Sequence, residues 1–241
     1  MIKVVLWDVD GTLLDFHAAE QAAIKSLFRE FGLGECTDHM LADYSGINLG
    51  YWKAMERGEI SKDELLYRRF EDFFSKYGLD TSCTKAFNDR YQYALGDTIV
   101  FFDGAMETVK ALRRHGVLQC AVTNGTKVAQ DRKLKSSGLG ELFDYIFISE
   151  EVGIEKPNIG FFNAIWETIG RYAPNEVLIV GDSLTSDIRG GINAGIKTCW
   201  FNPGNAANNL DKAANNSGLK PDYEIHRLEE VMEIITFSPA R

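Results

Sequence analysis

Five short, β-rich apolar runs alternate with segments of helical periodicity, and this alternation constrains the fold of the 241-residue chain more than any other feature. The runs lie at residues 2–7, 117–122, 145–148, 177–180 and 198–201. Each is a short continuous apolar stretch, the signature of a strand buried on both faces. Strands separated by helices require crossover connections, which are right-handed and build a parallel sheet covered on both sides. The expected fold class is therefore α/β.

One interval breaks the rhythm. From about Phe16 to Leu95 the pattern stays helical, with no convincing strand. Ile24, Leu27, Phe28 and Phe31 fall on one helical face, as do Leu66, Phe70, Phe73, Phe74 and Tyr77. Ser61 and Glu64 have the spacing of a capping box, and Gly32, Gly58 and Gly78 mark helix ends. This interval is expected to be a helical bundle inserted after the first strand. Beyond it, helices are expected at 105–115, 127–137, 157–169 (with Pro157 in the first helical position), 186–194 and 229–235, and the stretch from Asn202 to Lys220 as loop with a possible helix inside. Gly190, Gly191 and Gly195 are expected to permit close packing and a helix end.

The strand ends carry the chemistry, because ligands of open α/β sheets bind beyond the carboxyl ends of the strands. Asp8-Val9-Asp10-Gly11-Thr12 follows the first run, Thr123-Asn124-Gly125 the second and Gly181-Asp182-Ser183 the fourth, while Lys156 lies in the loop after the third. Asp8 and Asp182, with Asp187 nearby, offer hard oxygen ligands suited to magnesium. Lys156 with the metal would neutralise a transferring phosphoryl group, and Thr123 with the amides around Asn124 and Gly125 would hydrogen-bond its oxygens. Asp8 would attack phosphorus, and Asp10 would protonate the leaving alcohol and then deprotonate water. Each cluster has a plainer reading: a strand-to-helix turn at Thr123, a solvated charge at Lys156, helix-capping acids at Asp182 and Asp187. A calcium loop at Asp8–Gly11 is disfavoured by the preceding strand and by Leu13-Leu14. The order and common placement of all four favour the chemical reading.

Composition removes several classes. A net charge of −9 argues against a nucleic-acid polymer or an anionic membrane as partner, but not against a small phosphorylated metabolite. The four cysteines form no C-x-x-C pair and the four histidines have no zinc-ligand spacing. The apolar stretch before Asp8 is too short for a signal sequence and no run approaches a membrane span, so a cytoplasmic protein is expected, and the triplets at Asn124 and Asn215 are read as chance glycosylation matches. A monomer or weak homodimer is expected.

These motifs resemble the haloacid dehalogenase-like (HAD) hydrolases: the Asp8–Thr12 acidic motif, the Thr123 motif, Lys156-Pro157 and Gly181-Asp182-Ser183-Leu184-Thr185-Ser186-Asp187, in order along the whole chain. The resemblance implies a Rossmann-like core, residues 1–15 and 100–241, with a helical cap at 16–99, and magnesium-dependent chemistry at Asp8. It further implies a metal held by the Asp10 backbone carbonyl and by Asp182 directly, with Asp187 either ligating metal or orienting Lys156. Family members that break carbon–halogen bonds lack the second aspartate, so Asp10 favours phosphoryl transfer. Residues 149–158 and 187–200, with the cap segment from Trp52 to Leu66, are similar to the pyrimidine 5′-nucleotidase branch. The expected activity is hydrolysis of a nucleoside 5′-monophosphate. Alternatives are a sugar-phosphate phosphatase or phosphomutase and, more remotely, a non-catalytic phospho-receiver. Residues 16–99 hold 14 of the chain's 28 aromatic residues; Tyr44, Tyr51 and Trp52 are the candidates for stacking on a base, and the rest are expected to fill the cap core. Hinges are expected at Asp15–Phe16 and Val100–Asp103.

Overall fold

The computed structural model describes residues 1–204 and 218–236. Six parallel strands form one sheet in the order β3-β2-β1-β4-β5-β6: β1 (Val4–Trp7), β2 (Leu118–Thr123), β3 (Tyr145–Ile148), β4 (Val177–Gly181), β5 (Lys197–Phe201) and β6 (Tyr223–Ile225). The first strand is central because it is apolar on both faces. Val5 and Trp7 pack into one core, against Val109 and Leu112 of α5 (Ala105–Arg114) and Val231 of the closing helix (Glu230–Thr236). Val4 and Leu6 pack into the other, against Phe161, Phe162 and Ile165 of α8 (Ile159–Ile169). Trp7 pairs with Ala121 of β2 and Val180 of β4, so Asp8 leaves the sheet level with the ends of both neighbours. This is the point at which strand order reverses, where a crevice opens in a sheet of this kind.

Four helices lie between β1 and α5: α1 (Phe16–Glu30), α2 (Asp38–Glu56), α3 (Lys62–Tyr77) and α4 (Thr84–Ala94). They share a cluster of large side chains that includes Phe28, Tyr44, Phe70, Phe73, Phe74, Phe87 and Tyr91. Local chemistry sets their ends. Asp15 caps α1 by accepting from the Ala18 amide, Ser61 and Glu64 form the expected capping box of α3, and Gly78 ends α3 in the left-handed conformation. Leu65 is fully buried and Leu66 half-buried, the reverse of the periodicity reading. The two chain crossings into this cap are tied together: Asp15 N–H donates to Val100 O (2.8 Å) and Phe102 N–H to Leu13 O (3.1 Å).

Beyond β2 the core helices are α6 (Lys127–Ser137), the short α7 (Ser149–Val152), α8 and α9 (Arg189–Ala194). Three expectations need correction. Pro157 does not open α8: it precedes Asn158, whose side chain accepts from the Gly160 amide (2.8 Å) and so sets the helix start at Ile159. The helix expected from Ser186 to Ala194 is instead a wide π-type turn at Leu184–Ile188 followed by α9. β6 was not foreseen; Tyr223–Ile225 is too short for a period and is held by pairing to β5. The possible helix within 202–220 and the Asn215 triplet fall mostly on residues outside those described. Among the described residues no helix is long and apolar enough to cross a membrane.

The glycines of α9 act as expected: a Cβ on Gly191 would lie 2.6 Å from methyl groups of both Ile179 and Thr198, and Gly195 ends the helix at positive φ. Gly191→Ala is therefore expected to destabilise the protein by about 1–3 kcal/mol in chemical denaturation. Gly50→Ala, in α2 with open space around it, should stabilise by roughly 0.5–1 kcal/mol. Equal midpoints for the two variants would contradict this packing account.

Candidate active site

Lys156 organises the sheet edge. Its ammonium donates to Asp8 Oδ1 (2.8 Å), Asp187 Oδ1 (2.7 Å) and the Val122 carbonyl (2.6 Å), which uses all three of its protons. The backbone of Lys156 is fixed by Asn124, whose side-chain oxygen accepts from Lys156 N–H (2.9 Å) and whose NH2 donates to Lys156 O (2.8 Å). Asn124 thus works as a clamp on the Lys156 loop. Thr123 Oγ1 accepts from the Gly125 amide (3.0 Å), which leaves its own proton to donate elsewhere.

Thr12 ties the acidic motif to the fourth strand. Its hydroxyl lies 3.2 Å from both Asp8 Oδ2 and Asp182 Oδ1 and accepts from Asp182 N–H at 3.1 Å. Trp200 of β5 donates to the Asp182 carbonyl (2.8 Å), while Ser183 N–H donates to Asp187 Oδ2 (3.1 Å). Two glycines make room. A Cβ on Gly11, already at φ +88°, would sit 2.5 Å from Asp182 Oδ2, and one on Gly181 would sit 2.2 Å from Asp187 Cγ.

Three carboxylates, on Asp8, Asp182 and Asp187, have oxygens within 4.8 Å of one another, and the ammonium of Lys156 pairs with Asp8 and Asp187 among them. Burial lifts the Asp8 carboxyl to about 7; Lys156 opposes the rise and Asp187 adds to it. Burial would lower the Lys156 pKa, but Asp187 and Asp8 overcome it and hold the ammonium above the ordinary lysine value. Three carboxylate oxygens converging at one point in the cleft suit a hard divalent cation, which prefers such oxygen ligands. Asp8, Asp182 and Asp187 would hold it.

Asp10 stands apart from this network. Its carboxylate accepts from Lys133 Nζ (2.5 Å) and Gln130 Nε2 (2.6 Å), both on α6. Gln130 and Lys133 escaped the sequence reading, as did Thr12's bridging contacts. Residues 127–137 carry many polar pairs at that spacing, so only the fold shows that Gln130 and Lys133 are the buried ones. The cap meets the same loops. Lys53 of α2 donates to Ser183 Oγ (3.2 Å) and Thr185 Oγ1 (2.6 Å), and Lys62 of α3 to Gly125 O (3.1 Å) and Ser149 Oγ (2.9 Å).

Cap and core enclose a cleft of about 210 Å³, and Asp8, Asp10, Thr123, Asn124, Gly125, Lys156, Asp182 and Asp187 all line it. Of the three proposed stacking residues only Trp52 lines it, with Phe16. Tyr44 is fully buried and stacks on Phe70 (centroids 5.0 Å apart), and Tyr51 donates to Asp72 at an exposed site (2.7 Å). Both were misassigned because helical spacing does not distinguish the cap's own core from its cleft face.

Comparison with known proteins gives a consistent result. The family model for haloacid dehalogenase-like hydrolases matches residues 5–201. The HAD-hydrolase YfnB of Bacillus subtilis is 37% identical over 233 residues, 97% of this chain and 95% of that protein. A crystal structure of YfnB described as bound to magnesium superposes with a TM-score of 0.86 at 35% identity, covering 98% of this chain and 99% of that one. Pyrimidine 5′-nucleotidase PynA of Streptococcus pneumoniae is 34% identical over 97% of this chain and 94% of its own length. For pyrimidine 5′-nucleotidase YjjG of Escherichia coli the identity is 29%, over 96% of each chain.

A thermal titration tests the cation site. Magnesium at about 100 times its Kd is expected to stabilise the protein by about 2.7 kcal/mol, and Asp182→Ala should lose the increment. A wild-type melting temperature indifferent to magnesium would contradict the cation site.

Proposed function

The chain belongs to the haloacid dehalogenase-like hydrolases, as a phosphoric monoester hydrolase with a helical cap over a Rossmann-like core, and from this premise we propose that it hydrolyses a nucleoside 5′-monophosphate through an aspartyl-phosphate at Asp8. One observation carries the mechanism. The two aspartates of the first motif have separate environments, Asp8 inside the Lys156–Thr12 network and Asp10 outside it.

In this reading Asp8 is the nucleophile, its carboxylate held at the sheet edge by Lys156 and Thr12. An oxygen of Asp8 bonds to phosphorus as the bond to the leaving alcohol breaks, and Asp10, turning from Lys133 and Gln130, gives the alcohol its proton. Asp10 then takes a proton from water, whose oxygen attacks phosphorus and releases phosphate from Asp8. Thr123, whose own proton is not used by Gly125, would donate to an oxygen of the anion, and the charge of Lys156 beside it in the cleft would offset the anion's charge. A magnesium ion held by Asp8, Asp182, Asp187 and the Asp10 carbonyl would supply further neutralisation of phosphoryl charge.

The preference for a nucleotide rests on the similarity to PynA and YjjG and on a cleft whose cap wall includes the aromatic rings of Trp52 and Phe16. A monomer or weak homodimer is part of the same proposal, and the described cysteines are all free, as suits a cytoplasmic enzyme.

Phosphate release across nucleoside monophosphates and sugar phosphates, with magnesium or with a chelator, tests this reading. Pyrimidine nucleoside 5′-monophosphates should lead the panel and the chelator should abolish release. Asp8→Asn should abolish turnover while leaving the fold intact, and Asp10→Asn should slow it by about 10²–10⁴-fold. Near-wild-type turnover by Asp8→Asn would remove the nucleophile.

A further inference from the structure

The cap carries a buried polar chain that the mechanism does not use. Arg69 of α3 donates from Nη1 to Asn48 Oδ1 (2.9 Å), and Asn48 Nδ2 donates to Glu20 Oε1 (2.9 Å). Ser45 donates to Glu20 Oε2 in a short hydrogen bond, and His17 Nδ1 lies 3.6 Å from the same oxygen. Arg69 is itself held by Asn88 (3.0 Å) and lies against the rings of Phe70 and Tyr91 at 5.0 and 5.1 Å. Arginine only donates and a carboxylate only accepts, so the orientation of the Asn48 amide between them is determined.

This arrangement is costly. The surrounding cap core is built of phenylalanine and tyrosine, and burying Glu20 (side chain 1% exposed) and Arg69 there costs more than an apolar filling would. Yet Glu20, Ser45 and Asn48 all line the cleft shared with Asp8 and Lys156. A carboxylate has about four acceptor positions, and with Ser45, Asn48 and His17 on Glu20 one position is left for a guest. Trp52 and Phe16 add aromatic surface to the same cleft.

We propose that Glu20 is the specificity-determining residue of the cap: it accepts a hydrogen bond from an O–H or N–H of an uncharged leaving group and repels leaving groups that carry a carboxylate or second phosphate. The inference rests on the phosphatase reading above and deepens it, since a ribose hydroxyl or the imide N–H of a uracil ring is the kind of donor required. Asn48 and Arg69 act as positioning residues that hold Glu20 in one orientation.

The test compares kcat/KM for uridine 5′-monophosphate, ribose 5-phosphate and phosphoglycolate in wild type and Glu20→Gln. Loss of a charged acceptor should lower the ratio of either neutral ester to phosphoglycolate by about 10–100-fold, chiefly through KM. A ratio that stays fixed, or an equal loss on all three esters, overturns the proposal. Substrate-side deletion needs no variant. With wild-type enzyme, one of 2′-deoxy-, 3′-deoxy- or N3-methyl-uridine monophosphate should show a KM raised about tenfold or more, and Glu20→Gln should not weaken that ester further. Unchanged KM for all three also overturns it. If the wild type cleaves ribose 5-phosphate but no nucleotide, the nucleotidase reading fails, and the ribose 5-phosphate to phosphoglycolate ratio still decides the role of Glu20.

Discussion

The ammonium of Lys156, placed between Asp8 and Asp187 and capped by the Val122 carbonyl, is the interaction on which the rest of the site depends. It joins the end of β1, the end of β2, the loop beyond β3 and the turn after β4. Removing one member of a buried pair of this kind costs about 3–5 kcal/mol, because the partner charge is left without compensation. The site and the sheet edge are therefore stabilised by the same contacts. Asn124, Thr12 and Trp200 extend the arrangement, each fixing the backbone or carboxylate of a charged residue.

The cap supplies a second set of charges of a different character. Lys53 and Lys62 reach down to the two loops that bear Asp182 and Thr123, so the cap position is felt at the strand ends. The Arg69–Asn48–Glu20 chain stays within the cap and turns its acidic end to the cleft. The core thus holds groups fitted to an oxygen-rich anion, and the cap holds a group suited to a neutral hydrogen-bond donor. A phosphomonoester of a nucleoside presents these two ends in one small molecule.

Much of this was legible in the sequence because it is local. A strand ending in acid or hydroxyl places its polar group at the sheet edge, so the clusters at Asp8, Thr123 and Asp182 could be assigned to one face without knowing the strand order, and the Ser61–Glu64 capping box is a four-residue signal. What escaped depends on partners distant in the chain. The start of α8 turned on whether Pro157 or Asn158 governs, which only the Asn158 hydrogen bond decides. β6 exists through β5, and the contact of Asp10 with Lys133 spans 123 positions. Tyr44 and Trp52 lie eight positions apart on one helix, and only the packing of α3 and α4 against it separates a core ring from a cleft ring.

The central claim is that Asp8, held by Lys156 and Thr12, becomes covalently attached to phosphorus during turnover. Its most direct measurement is a single-turnover reaction with a phosphate ester, quenched in acid, with borohydride reduction of acyl phosphate and peptide mapping by mass spectrometry. The account predicts a reduced residue at position 8 alone, formed and lost at rates consistent with turnover. Turnover with no label at Asp8 at any quench time, or with label on another carboxylate, would contradict it.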